Sequence, residues 1–261
     1  MDGAGKYIEF ITTRIKQTLR QKKFKSKNSV QLKYLFEKNR NSHCLIVVFS
    51  ACTRKGIKAR YNYVRTLKSV KCNKLFILDD FAQDHRGAYY LGKNGGNEIE
   101  MACKELIEYK ARVTDSNEII LCGSSKGGWA ALNLMTDIDG SIAIVGAPQY
   151  LLANYLLAPA LLNCRKYIMP DVTENNVNRL NQYLKMKLQD NASNRHIIYL
   201  HYSDSEHTYD EHVKFLIEDL ENFGYKLNLD CRHYTDHWDV SKFFPEYLIQ
   251  SIENCRKGES T

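Results

Sequence analysis

No apolar run in the 261-residue sequence approaches the roughly 20 residues needed to span a bilayer. Only four prolines and fourteen glycines punctuate it, and no internal repeat, low-complexity tract or linker divides it. One compact domain is therefore expected, long enough to bury a full core. The eight cysteines (Cys44, Cys52, Cys72, Cys103, Cys122, Cys164, Cys231 and Cys255) form no C-x-x-C pair and no Cys/His cluster at zinc spacing. That pattern argues against a structural metal and against a disulfide framework. Several lie in apolar strand runs, where a free thiol behaves as a small hydrophobe. The opening residues Met1-Asp2-Gly3-Ala4-Gly5-Lys6 lack the charged-then-apolar plan of a signal peptide. A cytoplasmic location is expected, so the glycosylation pattern Asn191-Ala192-Ser193 carries no weight.

What the chain does have is charge in one place. Its net charge is +7, and residues 1–27 hold eight Lys/Arg against Asp2 and Glu9, which leaves +1 for the other 234 residues. Within this stretch, Tyr7, Ile8, Ile11, Ile15 and Leu19 share one face of a helix over residues 6–20. The domain plan that follows is a basic amphipathic helix within 1–28 and one α/β domain over 29–261. Two readings of residues 6–27 stand: a helix packed on the domain with a solvated basic side, or a peripheral contact with an anionic membrane or an acidic partner. Nucleic acid is not an expected partner, because no aromatic-basic interleaving accompanies the charge.

Beyond residue 28 the pattern alternates strands and helices. Val30–Phe36 and Cys44–Phe49 read as an antiparallel pair joined through Asn39-Arg40-Asn41-Ser42. A helix over 57–69, a strand at Lys74–Leu78, a helix over 96–112 and strands at Glu118–Cys122 and Ser141–Val145 follow. A mixed segment over 148–190 reads as a cap. A strand at His196–Tyr202, a helix over 208–223, a strand at Leu227–Arg232 and a helix over 240–254 close the chain. The fold class expected is α/β: a mostly parallel sheet with helices on both faces.

Gly123-Ser124-Ser125-Lys126-Gly127 fits G-x-S-x-G between an apolar strand and a helix start, the context of a nucleophile elbow. A glycine-rich turn cradling phosphate is the competing reading. Ser125 is the expected nucleophile, and a serine needs a base and a group to orient that base. In α/β-hydrolases these follow in the order acid, then histidine. Asp204 ends one later strand and His237 follows the next, so these two complete the expected triad. Glu206 and Asp210 could orient the base if their loop folds differently, and Asp236 reads as solvated. His207, His212 and His233 are the rival histidines. For the oxyanion hole, the backbone N–H of Lys126 is expected to act with that of Ala51, Cys52 being next in line. Arg54, Lys58 and Arg60, beside that loop, are candidate substrate-binding cations for phosphates or an acidic polymer.

Phe49-Ser50-Ala51, Tyr61-Asn62-Tyr63, Arg86-Gly87-Ala88-Tyr89-Tyr90, Gly123-Ser124-Ser125-Lys126-Gly127-Gly128 and Ala147-Pro148-Gln149 together resemble one family over about residues 30–254. It is the bacterial capsular polysaccharide O-acetyltransferases with an α/β-hydrolase fold. The resemblance implies acetyl transfer from acetyl-CoA through the serine to a sugar hydroxyl, with no permanently bound cofactor, and it favours Ser125, Asp204 and His237 by position. It adds Arg86 to the substrate-binding candidates. The basic N-terminal segment departs from the family pattern, and residues 148–190, which would shape the acceptor site, match least. A carbohydrate esterase with the same triad and a non-catalytic assembly subunit are the alternatives.

Overall fold

The computed structural model describes residues 17–192 and 196–257. Eight strands form one sheet in the order β1-β2-β4-β3-β5-β6-β7-β8. These are β1 (Lys22–Lys25), β2 (Gln31–Glu37), β3 (Cys44–Phe49), β4 (Asn73–Leu78), β5 (Glu118–Ser124), β6 (Ile142–Gly146), β7 (Ile197–Ser203) and β8 (Lys226–Arg232). From β4 to β8 every neighbouring pair is parallel, while β2 runs antiparallel to both β1 and β4. The helices are α1 (Glu98–Thr114), α2 (Lys126–Met135), α3 (Leu152–Leu156), α4 (Leu162–Ile168), α5 (Glu174–Asp190), α6 (Lys214–Asn222) and α7 (Val240–Lys257). None described is long and apolar enough to cross a membrane.

Strand alternation divides the core in two. Leu45, Val47 and Phe49 of β3 face one layer with Leu106 of α1, Trp129 of α2 and Leu216 of α6. Cys44, Ile46 and Val48 face the other, where Phe244, Leu248 and Ile252 of α7 cover the sheet. The fully buried runs of β3 and β4 are what a sheet covered on both faces requires. Helices α3, α4 and α5 fill the segment between β6 and β7 that the sequence reading takes as a cap.

Three sequence expectations are corrected. β2 and β3 do not pair, because β4 lies between them. All six residues of β4 are buried, and it finds hydrogen-bonding partners on both edges, β2 on one and β3 on the other. The helix expected over 57–69 is reduced to a 3₁₀ turn at Thr66–Ser69. Tertiary bonds claim the residues before it: the Tyr61 hydroxyl donates to Gln21 Oε1, and Asn62 Oδ1 accepts the Ala51 N–H. Tyr63 takes a left-handed conformation at φ 58°, which ends any helix there. Third, the sheet begins at Lys22 and not after residue 28. Lys22–Lys25 pairs with Gln31–Tyr34, and Phe24 stacks on Tyr109 with ring centroids 6.3 Å apart. Of the helix expected over 6–20, residues 17–20 are helical and 6–16 lie outside the described residues.

The elbow depends on close backbone approach. A Cβ on Gly127 would lie 2.5 Å from the Phe49 carbonyl oxygen, and one on Gly123 would lie 2.6 Å from the Gly127 carbonyl. No side chain fits at either contact, so α2 seats directly on the end of β3. Gly127→Ala is therefore expected to cost about 1–3 kcal/mol through overpacking, read as a lowered urea midpoint. An unchanged midpoint would contradict this packing.

Candidate active site

Ser125 occupies the turn between β5 and α2 at φ 52°, ψ −122°, a conformation that costs a non-glycine residue on the order of 1–3 kcal/mol. Its N–H donates to the Gly146 carbonyl at 2.7 Å, and its own carbonyl accepts from Trp129 N at 3.0 Å. These bonds and the α2 contact hold the strain. Because Ser125 precedes the first helical residue, the Lys126 N–H is among the groups a helix start leaves without an intrahelical partner.

His237 opens the 3₁₀ turn after β8, and its Nε2 lies 3.1 Å from Ser125 Oγ. Its Nδ1 lies 2.9 Å from Glu206 Oε2 and 3.2 Å from Oε1. The Glu206 carboxylate is fully buried, and Oε1 also accepts the Thr208 hydroxyl at 2.6 Å. Serine, histidine and glutamate thus form one unbroken relay.

Asp204, the acid expected from the sequence, is not part of it. Its N–H extends the β7–β8 ladder by donating to Arg232 O, and its carboxylate turns outward to His233 Nδ1 at 2.7 Å. The His233 hydrogen bond lowers its pKa, with Ser205 adding to the effect. The Ser203 hydroxyl, donating to Tyr234 O and accepting from Ser205 N, bends the chain just after β7. The acid that reaches the base therefore comes two residues later, where a π-helical turn (Tyr209–Val213) also starts nearby. Asp210, the other alternative, is exposed.

Two of the three rival histidines are engaged elsewhere. His233 pairs with Asp204, and buried His212 accepts the Leu151 N–H on Nδ1, with burial pulling its pKa down to about 4. His207 lines the cavity mouth with its ring 6.1 Å from that of His237.

Oxyanion-hole expectations need one change. The Ala51 N–H donates to Asn62 Oδ1 at 3.0 Å and so is already committed. Cys52 also lines the cavity, directly after Ala51. That cavity has a volume of about 600 Å³ and opens over Ser125 and His237. Of the expected cations, Arg54 and Arg60 line it, and the Arg54 guanidinium stacks 5.0 Å above the Trp238 ring. Lys58 is not among its lining residues. Arg86 borders the cavity, but its guanidinium is spent on protein: Nε and Nη2 donate to Thr53 O, Nη1 donates to Ala160 O, and Nη2 contacts Cys52 Sγ. It ties the oxyanion loop to the cap and is no free substrate ligand. Tyr155, Ala158, Ala160 and Leu161 of the cap give the opposite wall an apolar character.

Several partners escaped sequence reading. The Tyr63 hydroxyl bonds Ser124 Oγ at 2.5 Å, and the Gln149 side chain reaches Ser125 Oγ. Behind the elbow Lys126, 1 % exposed, places Nζ 2.8 Å from Oδ2 of the fully buried Asp79. Only a reading of which side chains face one another across the sheet end would have found these.

Sheet order, elbow and relay together define an α/β-hydrolase fold. Its structural neighbours include the kind of protein its motifs resemble. A capsule O-acetyltransferase of Neisseria meningitidis serogroup A, solved as a mutant in complex with CoA, matches with a TM-score of 0.74 at 22% identity, covering 90% of this chain and 96% of that one. A Glycosylation Associate Protein complex from Streptococcus agalactiae matches at 0.75 and 18% identity, over 90% of this chain and 47% of that one. An S-formylglutathione hydrolase from Agrobacterium tumefaciens matches at 0.57 and 14% identity, over 89% and 94%. No protein-family model matches the sequence, and no curated protein matches it either. At these identities the likeness is one of fold.

Glu206→Gln is expected to lower turnover by roughly 10⁴-fold, as loss of the orienting carboxylate does in serine triads. Asp204→Asn should leave turnover near the wild-type value. Steady-state rates on an activated acetyl ester decide between them, and the reverse ranking would restore Asp204 as the acid.

Proposed function

We propose that the protein is a serine acyltransferase that moves acetyl from acetyl-CoA to a hydroxyl of a capsular or other cell-surface polysaccharide. The observation that carries this reading is the relay itself: Glu206 to His237 at 2.9 Å and His237 to Ser125 at 3.1 Å, at the floor of the cavity. The family resemblance of the motifs and the CoA bound to a neighbour of the same fold support acetyl-CoA as donor. Arg54 and Arg60 on the cavity wall suit its phosphates.

In the first half-reaction His237 Nε2 takes the Ser125 hydroxyl proton while Oγ attacks the thioester carbon. The carbonyl oxygen gains charge and is received by the Lys126 N–H, with Cys52 N–H as second donor. The C–S bond breaks, the imidazolium returns its proton to the sulfur, and CoA leaves as the thiol. In the second, His237 takes the proton of a sugar hydroxyl whose oxygen attacks the acetyl carbon. The bond between the acetyl carbon and Ser125 Oγ breaks, and Oγ recovers the proton from the imidazolium. Glu206 holds Nδ1–H throughout and offsets the imidazolium charge. The reading places the enzyme in the cytoplasm, where acetyl-CoA is made, with the basic stretch around Arg20–Lys27 toward an anionic membrane face or a capsule-assembly complex. Hydrolysis by the same relay is the second reading, favoured by the fold likeness to S-formylglutathione hydrolase.

Incubation with acetyl-CoA alone should leave one acetyl group on Ser125, seen by intact mass and peptide mapping, absent in Ser125→Ala and discharged by the acceptor glycan. Rapid CoA release with no adduct and no glycan acetylated by any member of a panel would establish the hydrolase instead. No CoA release and no labelling by a serine-directed probe would mark a non-catalytic subunit.

A further inference from the structure

Two of the sequence motifs, Arg86-Gly87-Ala88-Tyr89-Tyr90 and Ala147-Pro148-Gln149, play no part in the relay, yet they meet at its nucleophile. Gln149 follows β6 and is fully buried. Its Nε2 lies 3.0 Å from Ser125 Oγ and 3.5 Å from His237 Nε2. The Tyr89 hydroxyl donates to Gln149 Oε1 at 3.1 Å, a bond that favours the orientation with Nε2 toward the serine. Oε1, facing the phenol, also accepts from Ser125 Oγ at 3.3 Å, and Nε2 at 3.0 Å is the nearer amide atom to that oxygen. Burial raises the Tyr89 pKa well above the ordinary phenol value, so that hydroxyl stays a donor across the working pH range.

Tyr89 is itself pinned. It has φ 53°, and its neighbours Ala88 and Tyr90 donate their N–H groups to the Asp79 carboxylate at 2.8–3.2 Å. Asp79 in turn is paired with Lys126, the residue beside Ser125. The chain of contacts leaves the nucleophile's backbone through Lys126 and returns to its hydroxyl through Gln149.

We propose that Gln149 is a catalytic residue: its side-chain N–H donates to Ser125 Oγ and stabilises the negative charge that oxygen carries whenever it attacks or leaves. The oxyanion hole serves the carbonyl oxygen, whereas Gln149 serves Oγ. When His237 takes the serine proton, Oγ becomes a partial alkoxide, and a donor at 3.0 Å in a buried site favours that form. In the second half-reaction the same oxygen is the leaving group as the acetyl–Oγ bond breaks, and the same donor assists its departure. Tyr89 is the positioning residue that keeps the amide from flipping. This inference rests on the relay and not on the identity of donor or acceptor.

The test is the second-order rate of Ser125 phosphonylation by a fluorophosphonate, which needs neither acetyl-CoA nor glycan. Gln149→Met keeps the volume and removes the donor, and Gln149→Glu keeps the shape and presents an acceptor. Both should react roughly 10- to 100-fold more slowly, the range for a hydrogen bond to a charged group, with the wild-type melting transition retained. Tyr89→Phe should lose about 3- to 10-fold as the amide loses its orientation. Added to Gln149→Met it should cost nothing more, a coupling that a purely structural role would not produce. Wild-type rates in both Gln149 variants, or losses that multiply in the double variant, overturn the assignment. Should Gln149→Met not fold, Tyr89→Phe decides, and a wild-type rate there overturns it. A wild-type protein that takes no label overturns the relay and Gln149 together.

Discussion

The backbone at Ser125 is the constraint on which the rest of the site depends. A serine at φ 52°, ψ −122° is held there against a strain on the order of 1–3 kcal/mol only because its surroundings leave no alternative. Gly127 lies against the Phe49 carbonyl, the Ser125 N–H is fixed to Gly146 O, and the hydroxyl is left at the cavity floor. With Oγ so placed, Gln149 after β6 and His237 after β8 reach it, and Glu206 after β7 reaches His237. Parallel strands bring three side chains from distant parts of the chain to one sheet edge, the usual place for a site in open α/β folds.

Charge within the protein is handled by pairing and burial. Lys126 and Asp79 are both removed from water, which costs several kcal/mol per ion unless the remaining polar atoms are satisfied. Here they are: Nζ also donates to the Asp79 and Arg86 carbonyls, and the carboxylate accepts from Ala88 and Tyr90. The result is a rigid support beneath the elbow, with its cation turned away from the cavity. Arg54 and Arg60, by contrast, line the cavity. Arg86 shows how a cation near a site can be entirely structural, its donors consumed by Thr53 and Ala160.

The elbow and the histidine were legible in the sequence because their signals are local. G-x-S-x-G between an apolar run and a helix start fixes Ser125, and a histidine between the last strand and last helix fixes His237. The sheet class followed from alternation alone. The acid did not, because Asp204 and Glu206 stand two residues apart at the end of β7, and only the bend stabilised by the Ser203 hydroxyl sends one outward and the other to the base. The β2–β3 pairing failed for a related reason: a turn-rich connection predicts a hairpin, but nothing local says that β4 will insert between the strands. Residues 57–65 carry helix-forming lysine and arginine, yet side-chain bonds from Tyr61 and Asn62 and the left-handed Tyr63 override that propensity. Gln149 and Tyr63 are long-range partners of the elbow, visible only after folding.

The most direct measurement of the account is a crystal structure of the protein after reaction with a fluorophosphonate. Phosphorus bonded to Ser125 Oγ is the predicted result, with the phosphoryl oxygen within hydrogen-bond reach of the Lys126 N–H and Glu206 still on His237 Nδ1. A label on any other residue, or His237 turned from Glu206 to Asp204 in the adduct, would contradict it.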